Sequence, residues 1–172
     1  MTVRTLLRTV SLLLLGLWLG AAIFFSAAVA PNVFALLRGA ELPNAATLAG
    51  SVVNRLLAII NKGGFEIGLF LLVVSFFMTR GQKPIRRIAE MLSLAIMAIM
   101  TAIGHWVVAA RLATLRAALQ LPIDQIAPTD PRRIEFDNLH RYSVAMLGVA
   151  IVAALVAFVL MASRKDTSQR AV

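Results

Sequence analysis

The chain has 172 residues, of which 60% are hydrophobic and only 15% charged, too few charges to cover a soluble domain of this size. Its formal net charge is +9. The Lys and Arg crowd the ends of apolar runs and no recognition motif accompanies them, so the charge points to lipid head groups and excludes nucleic acid as a partner. Cysteine is absent, which removes disulfides, thiol catalysis, thiolate metal ligation and iron–sulfur clusters.

Four apolar stretches, at about 10–30, 64–79, 88–110 and 142–162, match the ~20 residues a helix needs to cross hydrocarbon. They and their connections use up the chain. The expected fold is all-α, a polytopic membrane four-helix bundle in one transmembrane domain over 1–172, with spans at about 9–31, 62–80, 85–111 and 140–163.

The first stretch resembles a signal peptide, with Arg4 and Arg8 ahead of an apolar run and Ala28-Val29-Ala30 as a cleavage-like site. It is read as a retained span, because the run is too long, Pro31 would follow the cut directly, and Gly16-x-x-x-Gly20 suits helix packing. Pro31 is expected to stop or kink this helix and to open a loop over 31–42. Pro43-Asn44 then starts a helix that reaches Lys62 and meets Gly63-Gly64, a hinge or close contact, before the second span ends near Gly81. Pro84 starts the third helix after the basic turn Arg80-Gly-Gln-Lys-Pro-Ile-Arg-Arg87, and that helix outruns the bilayer toward Gln120. Residues 121–130 form a loop with Pro122 and Pro128. Asp130-Pro131 caps a last helix that runs through Arg141 into the fourth span. A polar, frayed tail follows from Arg164.

An even number of spans puts both termini and the 80–87 turn on one side, and the basic density of that short turn makes that side cytoplasmic, in a bacterial inner membrane. Steps of three and four give each of three spans an inward stripe. These are Leu13, Gly16, Gly20, Ile23, Ala27 and Ala30; Ala95, Ala98, Ala102, His105 and Ala109; and His140, Ser143, Leu147, Ala150, Ala154, Ala157 and Met161. Small residues on such stripes let backbones approach where lipid gives helices no hydrophobic reason to associate. Gly16, Gly20, Gly63, Gly64, Ala98 and Ala102 are the candidate packing positions.

Ionisable groups inside spans are costly and mark candidate function. Glu66 and His105 are the exceptions within apolar stretches. Helical rise places them, with His140, in the outer half or at the outer rim, where Arg111 and Ser143 complete a candidate polar or transport cluster. The structural alternatives are a Glu66 that pairs with Lys62 or Arg111, a His105 that bridges helices, and a His140 that anchors the last helix. Glu66, His105 and His140 have metal-ligating chemistry but no metal-binding spacing. No cofactor is required by the sequence, with a haem or a metal ion left open. No nucleophile elbow, phosphate loop or zinc-protease motif is present, so an enzyme is not expected.

Trp18-x-Gly20, Phe24, Phe25, Val29-Ala30-Pro31-x-x-Phe34 and Ala49-Gly50, the basic turn at Arg111 and Phe136-x-x-Leu139-His140-x-x-Ser143 together resemble the transmembrane protein 205-like family. The resemblance implies a four-helix integral membrane protein of largely unknown biochemistry; the vertebrate member is linked to drug efflux and resistance to platinum compounds. Glu66 and His105 fall outside the resemblance, and no Pro stands directly before Arg111. The leading expectation is a small membrane protein in the bilayer, self-associating, that transports or exports a small solute or metal compound. A structural or assembly role without a solute path, and a haem-ligating redox role, are the alternatives.

Overall fold

A computed structural model of the chain describes residues 3–40, 42, 44–79, 83–119 and 123–164, Asp124 by its backbone alone. Four helices in it are long and apolar enough to cross a membrane: α1 (Val3–Gly39), α2 (Ala45–Met78), α3 (Pro84–Ala118) and α4 (Pro131–Ala162). No strand occurs among the described residues, so this is an all-α four-helix membrane protein. The expected helix start at Pro43, the Gly81 cap, the Pro122 bend and the tail beyond Arg164 lie outside the described residues.

Pro31 does not end the first helix, and residues 31–39 are helical rather than loop. The turn just before it, Phe25–Val29, is π-helical, with the Ala30 N–H reaching back to the Phe25 carbonyl. A widened turn absorbs the clash between a proline ring and the carbonyl one turn back, and Pro31 then sits in the first turn of a fresh α-helical segment, where its missing N–H costs little. A second π-helical stretch, Ile103–Ala109, interrupts α3 without breaking it. In α2 the helix runs through Gly63 and Gly64 without a hinge. Asp130 caps α4, its side chain accepting from the Arg132 N–H. The bonds from the Arg132 guanidinium, and after them that backbone bond, hold its carboxyl down to about 2.

Each helix packs against its two neighbours in a ring, α1 on α2, α2 on α3, α3 on α4 and α4 back on α1. The beginning of α1, the end of α2, the beginning of α3 and the end of α4 share one end, called the near end below. Arg8 and Arg86 show this directly by donating to carbonyls of the last turn of α4, Ala162 at 2.8 Å and Leu160 at 2.7 Å. Cations on orphan carbonyls complement the negative end of the helix dipole.

The faces that meet are set by size. In α2 the buried positions Asn61, Gly64, Gly68, Leu71 and Ser75 recur at steps of three and four. Against this small-residue groove sit larger groups. A Cβ on Gly64 would lie 2.7 Å from Trp18 Nε1 and 2.8 Å from Thr101 Cγ2, and one on Gly68 would lie 3.1 Å from the Ala98 Cβ. Trp18 also donates to the Ile60 carbonyl at 2.9 Å, so its indole is both packed on α2 and satisfied there. The inward face of α1 is accordingly Ser11, Leu15, Trp18, Ala22 and Phe25. The stripe expected there through Leu13, Gly20 and Ile23 is exposed. The reason is complementarity: α2 supplies the small residues, so α1 turns its large ones inward. Gly20 and Gly63 have open space around them, and Gly16 makes only ordinary contact with Phe158. In α3 the face is turned by about one residue from the expected stripe, with Glu90, Ser93, Leu94, Met97, Ala98 and Thr101 buried and Ala95 and Ala102 half-buried. The face of α4 is the expected one from Ser143 to Met161, widened by Ala153, while His140 at its head is exposed.

This fit generates a test. Gly64→Ala forces the Trp18 indole and Thr101 apart, with an expected cost of about 1–3 kcal/mol by overpacking. Gly63→Ala, one residue away in open space, is expected to leave the thermal midpoint in detergent unchanged or slightly raised. Equal midpoints for the two variants would refute the seam.

Candidate functional site

The two halves of the bundle differ in character. At the near end a carboxylate is fully buried. Glu90, ~9 Å into α3 from Pro84 at the helical rise, has no exposed surface, and the Arg164 side chain that meets it is 7% exposed. Arg164 Nε donates to one carboxylate oxygen at 3.1 Å, and a terminal guanidinium nitrogen donates to the other. Ser75 donates its hydroxyl proton to Glu90 and accepts from Arg164 at 3.2 Å. Thr79, one turn on, is also buried and bonds the Ser75 carbonyl at 2.6 Å. Side chains from α2 and α3 and the residue ending α4 are thus clamped in one network, with the carboxylate's charge and both its oxygens satisfied, as burial demands. Below it Leu71, Leu94, Met97, Ala157 and Met161 are fully buried.

At the far end the helices leave a cavity of about 690 Å³, the size of a small-molecule site. Its walls come from the last part of α1, the first part of α2, the end of α3 and the first part of α4. It starts at the depth of the π-helical turn of α1, since Phe25 and Ser26 line it. Apolar side chains make up much of the surface, with Asn54, His140 and Ser143 among the polar ones and Arg38, Arg116, Arg133 and Asp137 carrying charge. Arg133 is engaged with Asp137 at 3.1 Å and with the Ile123 carbonyl. Arg38 and Arg116 contact ring faces instead, Phe34 at 5.8 Å and Phe136 at 5.3 Å from the centroid. Gly50 gives Arg116 its room: a Cβ there would lie 3.2 Å from a terminal guanidinium nitrogen.

The structure separates the residues that the sequence grouped. His140 and Ser143 line the cavity. Arg111 is outside it, exposed and paired with Glu135 at 2.7 Å. Glu66 is exposed on α2 beside Lys62, at 3.9 Å, both side chains 61% exposed. His105 lies in the π-helical stretch of α3, edge-on to Trp106, with its Nδ1 buried and unbonded. A joint site of Glu66, His105 and His140 is not formed, for metal or for solute, and among the described residues no three His, Asp or Glu side chains gather as metal ligands. Glu66 and His140 also stand at different heights along their helices. Glu66 is ~31 Å from the start of α2 and His140 only ~13 Å from the start of α4, on the same ~1.5 Å rise. Glu90, Arg164 and Arg116 are the groups the sequence reading passed over. Their signal was present: Glu90 begins the stripe Glu90, Ser93, Met97 and Thr101, and Arg116 shares a face with Leu112, Leu115 and Leu119.

Removal of one member of the buried pair leaves the other charge stranded. Glu90→Gln is expected to cost about 3–5 kcal/mol of stability. Glu135→Gln, which breaks the exposed pair with Arg111, is expected to cost no more than about 1 kcal/mol. Thermal unfolding of the two variants in the same detergent checks this, and a Glu90→Gln protein as stable as the parent would show that the network is not a clamp.

Residues 13–120 match the family described as a domain of unknown function, DUF4149. The matched segment holds α1 from Leu13 onward, α2 and α3, and therefore Trp18, Gly64, Glu90 and Arg116. No curated protein and no solved structure matches the chain at a significant level.

Proposed function

We propose, for a chain that belongs to the DUF4149 family of unknown function, that it moves a small solute across the bilayer through its far-end cavity. The observation that carries this reading is the asymmetry of the bundle. A cavity of about 690 Å³ opens into one half, and a buried ion pair with close-packed helices shuts the other. A site accessible from one side and closed on the other is what alternating access requires of one of its two states. In this reading the near end is cytoplasmic in a bacterial inner membrane, as the basic 80–87 turn favours, and the cavity faces outward.

Kinship to the transmembrane protein 205-like proteins is part of the proposal. It is supported by Trp18, Gly20, Phe24, Phe25, Phe34, Ala49 and Gly50 all lying within the matched segment, and by Phe25, Phe34, Gly50, His140 and Ser143 lining the cavity. A cationic metal compound fits this cavity poorly, because among the described residues no carboxylate pairs with Arg38 or Arg116. An organic solute fits better.

The test is flux. The purified chain is reconstituted in liposomes loaded with an anionic, a cationic or a neutral fluorescent dye. At least one dye is expected to leave faster than from protein-free liposomes. His140→Trp, which fills the cavity from an exposed position, is expected to return that rate to the background with an unchanged thermal midpoint. If no dye moves faster, the role is structural.

A second observation favours self-association. Lys62 and Glu66, paired with each other at 3.9 Å, stand exposed ~18–24 Å from the end of α2 at the helical rise, at a depth where lipid-facing charge is expensive. In a twofold pair of copies, Lys62 of one faces Glu66 of the other and the charges are covered by protein. Light scattering in mild detergent is expected to give the mass of a dimer or higher oligomer, and Glu66→Lys that of a monomer. A parent chain already monomeric at micromolar concentration would sink the idea.

A further inference from the structure

We infer that the ligand of the far-end cavity is an amphiphilic anion, a phosphate, sulfonate or carboxylate head on an apolar body; this rests on the cavity being a binding site, as proposed above. The argument begins with charge. Of the charged residues on the cavity wall, Arg133 and Asp137 satisfy each other at 3.1 Å. Arg116 is half-buried and Arg38 exposed, and among the described residues neither has a carboxylate within ion-pair distance. Both rest on aromatic faces, at 5.3 and 5.8 Å from the centroids. A ring face holds a guanidinium in place but accepts no hydrogen bond from its N–H groups in the guanidinium plane, so the fork that matches two oxygens of an anion stays available.

The placement is specific. Arg116 lies on the inward side of its helix with buried Leu112 and Leu115, while Arg111 on the outer side is already neutralised by Glu135. An arginine placed to meet lipid head groups would take the outer position. Arg116 is instead accommodated by Gly50, the residue on α2 where a Cβ would press on its guanidinium. His140 and Ser143, also on the wall, can donate to further oxygens of a tetrahedral or planar head.

The rest of the wall decides against a small inorganic anion. Phe25, Leu57, Leu112, Val144 and Leu147 line the same space, and an apolar surface of that extent is matched by an apolar body. The head therefore meets the arginines, and the body extends along α1 and α4 toward the π-helical turn. Such an anion can come from the bilayer, as a lipid-derived phosphate or fatty acid, or from solution as a detergent-like organic anion.

The experiment uses the full chain in nanodiscs of zwitterionic lipid and follows thermal stabilisation on titration with dodecyl phosphate, dodecyltrimethylammonium and inorganic phosphate. Dodecyl phosphate is expected to stabilise at a concentration at least tenfold below that of the other two. Arg116→Gln and, separately, the exposed Arg38→Gln are each expected to weaken it about tenfold, with Arg116→Lys losing less than Arg116→Gln. Anionic lipid added to the nanodiscs identifies the source: competition with dodecyl phosphate marks a bilayer ligand, and its absence a soluble one, both consistent with the anion site. Equal stabilisation by the ammonium and the phosphate amphiphiles would overturn the anionic assignment and leave the cavity as a binding site. Equal stabilisation by inorganic and dodecyl phosphate would overturn the amphiphile. Stabilisation by none of the three, or an Arg38→Gln variant that binds as tightly as the parent, would overturn the inference.

Discussion

The ion pair between Glu90 and Arg164 is the constraint from which the rest of this bundle can be read. A carboxylate without exposed surface is tolerable only where a cation and further donors meet it. The partners come from two other helical regions, Ser75 near the end of α2 and Arg164 just beyond α4. Three helix ends are thereby fixed laterally, and Arg8 brings in the fourth through the Ala162 carbonyl. In lipid, where apolar surface gives helices no reason to prefer one another over acyl chains, such a knot sets which faces meet. The small residues then convert that choice into contact, with Gly64 beneath Trp18 and Gly68 against Ala98.

Away from the knot the contacts thin and the helices part. The transition coincides with the departures from α-helical geometry. The π-helical stretches Phe25–Val29 and Ile103–Ala109 both end ~14–15 Å before the far ends of their helices at the helical rise. A π-helical turn inserts an extra residue and shifts the angular register of everything beyond it. In α1 it lets the chain pass Pro31 and carry Phe34 and Arg38 to the cavity wall. In α3 the buried face runs on through it, from Met97 and Thr101 by Gly104 and Val108 to Leu112 and Leu115.

Much of this was legible in the residues. Four spans, the Asp130 cap, the extension of α3 past Arg111 and the inward face of α4 follow from length, turn chemistry and steps of three and four. The α1 face was misread because small residues were assumed to point inward on every helix, whereas a seam needs them on one side only. Glu66 drew attention because it interrupts an apolar run, and Glu90 escaped it because it follows the basic turn at 80–87 and looks like a loop charge. Position along a hydropathy profile does not report azimuth. The stripe from Glu90 to Thr101 does, and so does the one from Asn61 to Ser75. At Pro31 a stop or kink is the expectation, because no local pattern announces the π-helical turn that carries the helix past it.

The distribution of charge ties the two halves together functionally. Near the knot Arg164 is answered by Glu90, and Arg86 by the Leu160 carbonyl and the Ser163 hydroxyl at 3.0 Å, while the half-buried Arg87 rests on the Phe76 ring at 5.4 Å. At the far end Arg133 is answered by Asp137, and among the described residues Arg116 and Arg38 meet ring faces and no carboxylate. What sets Arg116 and Arg38 apart from Arg87 is their place on the wall of one cavity. Half-burial desolvates Arg116, a cost that an anion entering beside it would offset. A bound anion between α1 and α3 would also draw the far ends of those helices together.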